Sequence, residues 1–248
     1  MRLKQKVAVV TGAASGFGRG IAEAFVKEGA RVVVADINET GSQEVASALG
    51  QSALAWRCDV TSADDVARLI GVAEKEFGPV DIMVNNAGIT HANQPLMNVG
   101  EDEFDAIYSV NVKSIYLTTK AVVPTMRGRG GSIINVASTA GVRPRPGLTW
   151  YNGSKGAAIT LTKSLAVELA PDNIRVNAIN PVMGETGMLE KFMGLPDTPE
   201  NREKFVSGIP LGRMSQPEDI ANAAVFFADP ASEFVTGVAM EIDGGRCV

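Results

Sequence analysis

Tyr151 and Lys155 stand at i and i+4 in the stretch Tyr151-Asn152-Gly153-Ser154-Lys155, downstream of Ser138. On a helix this spacing is about one turn, so both side chains project from one face and an ammonium comes within reach of a phenol. A tyrosine ionises only near pH 10, and bringing its phenolate into use at neutrality takes about 3–4 kcal/mol, which a nearby cation can supply. The chemistry on offer is proton transfer to or from a hydroxyl, with Ser138 as the hydrogen-bond partner of the reacting oxygen. A Tyr and a Lys one turn apart also occur on ordinary solvated helices, so the pair alone decides nothing.

A scaffold able to position the pair begins at the N-terminus. Val7-Ala8-Val9-Val10 is short, apolar and largely β-branched, as expected of a strand covered on both faces in a parallel sheet. Thr11-Gly12-Ala13-Ala14-Ser15-Gly16-Phe17-Gly18 follows, with glycines that permit a tight turn and close approach to a pyrophosphate. The segment from Arg19 to Glu28 has the composition of a helix whose N-terminus would face that anion. Val32-Val33-Val34-Ala35 then reads as a second strand ending at Asp36, where an acid would meet a ribose diol. Gly-rich turns often join strands to helices without binding anything; the acid and both flanking strands together carry the dinucleotide reading.

The alternation continues along the chain. Strands are expected over 53–58, 80–85, 132–136, 174–179 and 238–242, with helices over 63–77, about 149–170 and 217–228 and a long helical region over 102–126. Right-handed crossovers on such a pattern give an α/β fold, a doubly wound, mostly parallel, Rossmann-like sheet with helices on both faces and ligands at the carboxyl ends of the strands. No linker or repeat divides the 248 residues, so one domain is expected, with the polar stretch 184–208 as a segment covering the substrate.

The glycine spacing, the Asn85-Asn86-Ala87-Gly88 element, Asn111, Ser138, the Tyr151-x-x-x-Lys155 pair and Asn180-Pro181 with Thr186 together resemble the short-chain dehydrogenase/reductase family over essentially the whole chain. The resemblance implies hydride transfer between a nicotinamide cofactor and a secondary alcohol or ketone. In it Tyr151 is the acid or base, Ser138 binds the reacting oxygen, Lys155 holds the ribose and lowers the phenol pKa, and Asn111 holds a water linking Lys155 to solvent. A structural role for Asn111 at a helix kink stands equally open. Gly12, Ser15, Gly16, Phe17 and Gly18 would lie along the pyrophosphate, Asn86, Ala87 and Gly88 beside the cofactor, and Pro181, Val182, Gly184 and Thr186 by the nicotinamide. Val182, Phe17 and Gly153 depart from the family pattern.

Cofactor choice rests on charge. Asp36 can accept hydrogen bonds from a ribose diol, whereas a 2′-phosphate would cost about 4 kcal/mol at a separation of roughly 4 Å and an effective dielectric of about 20. Neither Ile37 nor Ser15 offers a compensating cation. NAD is therefore the expected cofactor. By resemblance Asp59 contacts the adenine amino group with Val60 beside it, although a turn acid is the bland alternative for Asp59.

The net charge of −5 is spread without acidic or basic blocks, no apolar run approaches the length of a membrane span, and the N-terminus lacks a signal-peptide core. A soluble, cytoplasmic protein with no nucleic-acid or membrane partner is expected. Cys58 and Cys247 lack partners for a disulfide framework or a metal site, and Cys58 is expected in the core. His91, the single histidine, is expected to face solvent.

The substrate remains the open quantity. Arg143 and Arg145 would suit a carboxylate, phosphate or sulfonate, which keeps an anionic substrate open, but loop arginines ordinarily face water and that is the expectation. Trp150 is either a pocket wall or part of a subunit contact, and Met183, Met188 and Met193 are expected to pack in ordinary helical fashion. Sugars, polyols and small hydroxy compounds compete with 3-oxoacyl thioesters as substrates. Asp36 favours the former, because carrier-protein reductases in the family usually use NADP; a cofactor-binding protein without turnover is the alternative outside enzymes. The resemblance also implies a homotetramer packed through the helices that carry Asn111 and Tyr151.

Overall fold

Five buried residues in succession, Val7–Thr11, need neighbouring strands on both edges and helices on both faces. The computed structural model, which describes residues 1–184, 187 and 189–248, supplies both. In chain order its elements are β1 (Val7–Thr11), α1 (Gly16–Lys27), β2 (Arg31–Asp36), α2 (Glu39–Leu49), β3 (Ala53–Arg57), α3 (Ala63–Phe77), β4 (Ile82–Asn85), α4 (Glu101–Tyr108), α5 (Ser114–Met126), β5 (Gly131–Val136), α6 (Thr149–Leu169), β6 (Ile174–Pro181), α7 (Leu189–Met193), α8 (Pro199–Val206), α9 (Pro217–Ala228) and β7 (Ala239–Ile242). The strands form a seven-stranded parallel sheet in the order β3-β2-β1-β4-β5-β6-β7, with β1 in register with β2 on one side and β4 on the other.

Alternate strand residues feed opposite faces. Ala8, Val10, Val32, Val34 and Val84 pack with Ile21 and Phe25 of α1 and Phe227 of α9, whereas Val9, Val33, Met83 and Ile133 pack with Leu69 of α3, Val122 of α5 and Leu169 of α6. Cys58 is in this second core, where burial pushes its thiol up to about 12. The order of strands reverses between β1 and β4, and the crevice at that switch point opens at their carboxyl ends. None of the helices among the described residues is long and apolar enough to cross a membrane.

Two features go beyond the sequence reading. Helix α2 occupies the span after Asp36 that the reading leaves unassigned: its interior carries Gly41 and Ser42, which weaken any helical signature, yet Asn38 caps it by accepting from Gly41 N at 3.1 Å. The expected helix over 102–126 is also broken into α4 and α5 by a π-type turn at Ser109–Lys113, which places Asn111 inward.

Buried side-chain hydrogen bonds fasten α6 to the sheet. Asn85 Nδ2 donates to Asn135 Oδ1 at 2.8 Å, Thr118 Oγ1 donates to Asn85 Oδ1 at 2.8 Å, and Asn135 Nδ2 donates to Thr162 Oγ1 at 2.9 Å. This chain joins β4 and β5 to α5 and α6, so α6 is held in both position and rotation.

Candidate active site

On the β1 side, the turn into α1 is set by packing as well as by backbone freedom. Gly12 has φ +63°, and a Cβ there would lie 2.8 Å from Ala87 Cα. Asn86 Nδ2 donates to the carbonyls of Thr11 and Gly12, each at 2.9 Å, and a Cβ on Gly18 would collide with the same Gly12 carbonyl. Thr11, which the sequence reading passes over, is the pin of this crossing: its hydroxyl accepts from Asn86 N at 3.1 Å and Ala87 N at 3.2 Å and donates to Val84 O.

Helix α1 begins with Ser15 extended, no side-chain cap and no acid in its first turn. By contrast, α2, α3 and α8 are capped by Asn38, Ser62 and Thr198. The first turn of α1, with Gly16, Phe17 and Gly18, thus keeps N–H groups that no side chain satisfies, which suits an anion.

At the end of β2, the Asp36 carboxylate accepts from Ala14 N at 3.0 Å and Asn38 N at 2.9 Å, one bond per oxygen, and Ile37 beside it is exposed. Asp59 is partly buried, with Oδ1 accepting from the backbone N and hydroxyl of Thr61, and the Val60 side chain is in the core. Any contribution of Val60 to a ligand would therefore come from its backbone.

Ser138, Tyr151 and Lys155 converge where β5 ends. Ser138, buried, follows the strand and its Oγ accepts from Ala140 N at 3.1 Å. Tyr151 and Lys155 project together from α6, both buried. The Lys155 ammonium, however, donates to the Val136 carbonyl at 2.9 Å and lies 5.8 Å from the centre of the Tyr151 ring. Burial pushes the Tyr151 phenol up to about 12, against a Ser138 hydrogen bond and the charge of Arg145, while burial also brings Lys155 down to about 8. This corrects the expectation that Lys155 lowers the phenol: among the chain's own groups, Ser138 and Arg145 oppose its burial.

Asn111 is buried in the π-type turn, with Oδ1 accepting from Ile89 N and Nδ2 donating to Ile89 O and Ser154 Oγ, all at 2.9 Å. Its backbone-anchoring role is thus visible. A Cβ on Gly88 would lie 3.3 Å from Lys155 Nζ and 3.4 Å from Asn111 Oδ1, so both side chains border the loop after β4.

A cavity of about 310 Å³ joins these groups; Ser138, Tyr151, Lys155, Asn86, Gly88, Phe17, Pro181, Val182 and Gly184 line it. The Phe17 ring lies against Gly184, where a Cβ would overlap it, and Gly153 leaves room for the Tyr108 hydroxyl; two of the three departures from the family pattern are thereby packing pairs. Thr186 and Met188 lie outside the described residues. Met183 and Met193 pack together with Leu189 and Met214, and Met183 and Leu189 of this cluster also line the cavity.

The expectation that Arg145 simply faces water is corrected, since it lines the cavity only partly exposed, whereas Arg143 borders the same cavity and is exposed as expected. Arg145 is held half-buried between the rings of Phe192 and Phe205, 5.6 and 4.6 Å from their centres. His91 is likewise not solvent-facing. It is buried, with Nδ1 2.8 Å from the Ala92 carbonyl, because its loop is tied down by Asn93 N donating to Lys191 O and Gln94 N donating to Gly147 O. Trp150 packs edge-on to Phe104 rather than lining the cavity.

Phe192, Lys204, Phe205 and Arg246 are among the cavity residues that the sequence reading does not single out. They arrive from α7, α8 and the C-terminal turn, and no local spacing signals that they meet. Only the polar character of 184–208 pointed to part of this wall.

The comparisons with known proteins agree with this geometry. A family model described as enoyl-(acyl carrier protein) reductase matches residues 12–246. The 4-formylbenzenesulfonate dehydrogenase of Comamonas testosteroni is 50% identical over 99% of each chain. The galactitol 2-dehydrogenase of Agrobacterium fabrum is 39% identical over 99% of each chain. The crystal structure of 3-ketoacyl-(acyl-carrier-protein) reductase from Brucella melitensis complexed with NADH superimposes with a TM-score of 0.95 at 46% identity, covering 99% of this chain and 100% of that one. With the glycine turn at a sheet switch point and Ser138, Tyr151 and Lys155 gathered in one cavity, the chain belongs to the short-chain dehydrogenase/reductase family of oxidoreductases.

Proposed function

We propose that this NAD-dependent oxidoreductase of CH–OH groups interconverts a secondary alcohol, in a sugar, polyol or small hydroxy compound, with its ketone. The observation that carries the reading is the convergence of Ser138, Tyr151 and Lys155 in the cavity that Asn86, Gly88 and Pro181 also line.

The chain's own residues fit a dinucleotide: an uncapped α1, a turn too tight for side chains at Gly12 and Gly18, and a carboxylate on Asp36 with accepting capacity to spare. Gly12, Ser15, Gly16, Phe17 and Gly18 would hold the pyrophosphate, Asp36 and Ile37 the adenosine ribose, Asp59 and Val60 the adenine. Asn86, Ala87, Gly88, Tyr151 and Lys155 would hold the nicotinamide ribose, and Pro181, Val182, Gly184 and Thr186 the nicotinamide. When bound, the cofactor supplies or accepts the hydride.

Tyr151 takes the hydroxyl proton in oxidation and returns it in reduction, and Ser138 hydrogen-bonds the reacting oxygen. Arg145 and any further positive charge brought beside the phenol lower its pKa toward the working range. Asn111 holds the loop after β4 against Ser154 of α6 and would hold a water linking Lys155 to solvent.

Likeness to the Brucella 3-ketoacyl-(acyl-carrier-protein) reductase favours a second reading, reduction of a 3-oxoacyl thioester. Its complex with NADH also removes the expectation that Asp36 separates the two readings, since a carrier-protein reductase with NADH is in hand. The test is NADH formation across polyols, sugars, hydroxy acids and 3-hydroxyacyl thioesters, with NADP in parallel. Turnover of the first three classes with NAD supports the proposal; turnover confined to thioesters replaces it with the second reading.

We infer further that 184–208 covers the substrate within a single domain, supported by Leu189, Phe192 and Phe205 on the cavity wall. A homotetramer packed through α5 and α6 is supported by Tyr116 and Val167, exposed on those helices. Light scattering of the purified protein tests the assembly, a monomer mass overturning it.

A further inference from the structure

The charged side chains that line the cavity are Arg143, Arg145, Lys155, Lys204 and Arg246, and every one is a cation; no Asp or Glu joins them among the described residues. Lys155 is engaged with the Val136 carbonyl. The other four make no ion pair with a carboxylate among the described residues.

Arg145 is the informative member. Its guanidinium is half-buried against Phe192 and Phe205, and Phe192 in turn meets the Tyr151 ring edge-on at 5.0 Å. The phenol, an apolar aromatic wall and a guanidinium thus follow one another across the cavity. Arg246 faces Arg145 closely enough to repel it, and Arg143 donates to the Arg246 carbonyl, which ties the loop after Ser138 to the C-terminal turn. Arg145 and Arg246 are thus held together partly out of water with no carboxylate paired to them among the described residues; this is unfavourable for the protein alone, and an oxyanion between them removes that cost. The cations lie beside Tyr151 and not beside Asp36, so they are placed for the substrate and not for a 2′-phosphate on the cofactor.

We propose that Arg145, backed by Arg143 and Arg246, is an anion subsite that selects substrates carrying a carboxylate or sulfonate across a flat apolar body from the reacting hydroxyl. The inference deepens the proposed alcohol–ketone function and rests on it for catalysis, while the subsite itself is defined by binding. A guanidinium offers such an oxyanion two parallel hydrogen bonds, which an ammonium does not.

The test uses the full chain with NAD and three matched secondary alcohols: 4-(1-hydroxyethyl)benzenesulfonate, 4-(1-hydroxyethyl)benzoate and the neutral 4-(1-hydroxyethyl)benzamide. Calorimetric titration of the protein with NADH present, using benzenesulfonate, benzoate and benzenesulfonamide, reads binding without turnover. The expected kcat/KM is about 10- to 100-fold higher for the anionic alcohols than for the amide. Arg145→Gln collapses that ratio and abolishes benzenesulfonate binding, whereas Arg145→Lys, which keeps charge and stem, retains part of both. NADH affinity in each variant reports that the fold is intact.

Equal handling of the amide and the two anions overturns the subsite while leaving the oxidoreductase reading standing. So does an Arg145→Gln protein that still prefers the anions. If none of the alcohols turns over but benzenesulfonate binds in an Arg145-dependent way, the subsite stands and the alcohol reading falls.

Discussion

The two halves of the cavity are built differently. The cofactor half, from β1 through the first turn of α1 to Asn86, is a matter of backbone: carbonyls, N–H groups and glycines too close to a neighbouring chain to carry a side chain. The substrate half is a matter of side chains from distant segments, with Arg145 from the loop after β5, Phe192 from α7, Phe205 from α8 and Arg246 from the C-terminus. A backbone cradle constrains its own sequence tightly and is shared by proteins acting on different compounds. A wall of side chains constrains little locally and is free to change with the substrate. The relatives bear this out in their names, which include a dehydrogenase of 4-formylbenzenesulfonate and one of galactitol.

The contrast is sharpest where proton transfer separates from binding. Tyr151→Phe keeps the ring against Phe192 and removes only the hydroxyl; turnover should fall by about 10²–10⁴-fold with NADH affinity nearly unchanged. A comparable loss of NADH affinity would mean that the two halves are not separable.

Lys155 sits at their boundary and should show itself in stability against pH. Its folded pKa of about 8 lies below the ordinary 10.5, so between these values the unfolded chain binds the extra proton and stability rises with pH. Without added NAD, urea unfolding should show a gain of up to about 3 kcal/mol from this group, cut short above pH 10 because Tyr151 titrates in the unfolded chain first and in the folded chain only near 12. Lys155→Met should flatten the rise between pH 8 and 10. A slope that survives the substitution assigns it to another group.

In the cofactor half, Asp36→Ser should lower the preference for NAD over NADP on the order of a hundredfold, read as the ratio of kcat/KM values. It should also loosen the turn, since both carboxylate oxygens accept backbone N–H groups. An unchanged ratio would mean that the carboxylate serves the turn alone. Gly18→Ala should cost about 2 kcal/mol in urea unfolding through overlap with the Gly12 carbonyl, an effect of packing that requires no cofactor. Trp150→Phe should do least, leaving KM within about twofold, because the indole packs on Phe104 and not on the cavity. A larger change in KM would make Trp150 part of the substrate wall after all.

The same division explains how far the sequence could be followed. The Val7 to Asp36 unit is legible because each of its signals is local: a run of buried β-branched residues, a glycine turn, a helix and an acid at the end of the next strand. Tyr151 and Lys155 are legible for the same reason, since one helical turn brings them to one face. The pKa of that tyrosine is not legible, because burial acts on it through the whole surrounding fold and outweighs the intuition that a neighbouring lysine lowers it. His91 is misplaced on local grounds, since the backbone bonds that draw its loop inward come from Lys191 and Gly147.

By itself the sequence determined the fold class, the strand after which the glycine turn is made and the sharing of one helix face by Tyr151 and Lys155. These depend on the period of burial and on contacts within a turn or two, and such contacts are written in consecutive residues. Only the tertiary structure decided that Arg145 turns into the cavity, that Arg143 and Arg246 meet there from distant parts of the chain, and that no carboxylate lines it among the described residues. Electrostatic and packing interactions depend on distance in space, and chain separation says almost nothing about that distance once the sheet has folded.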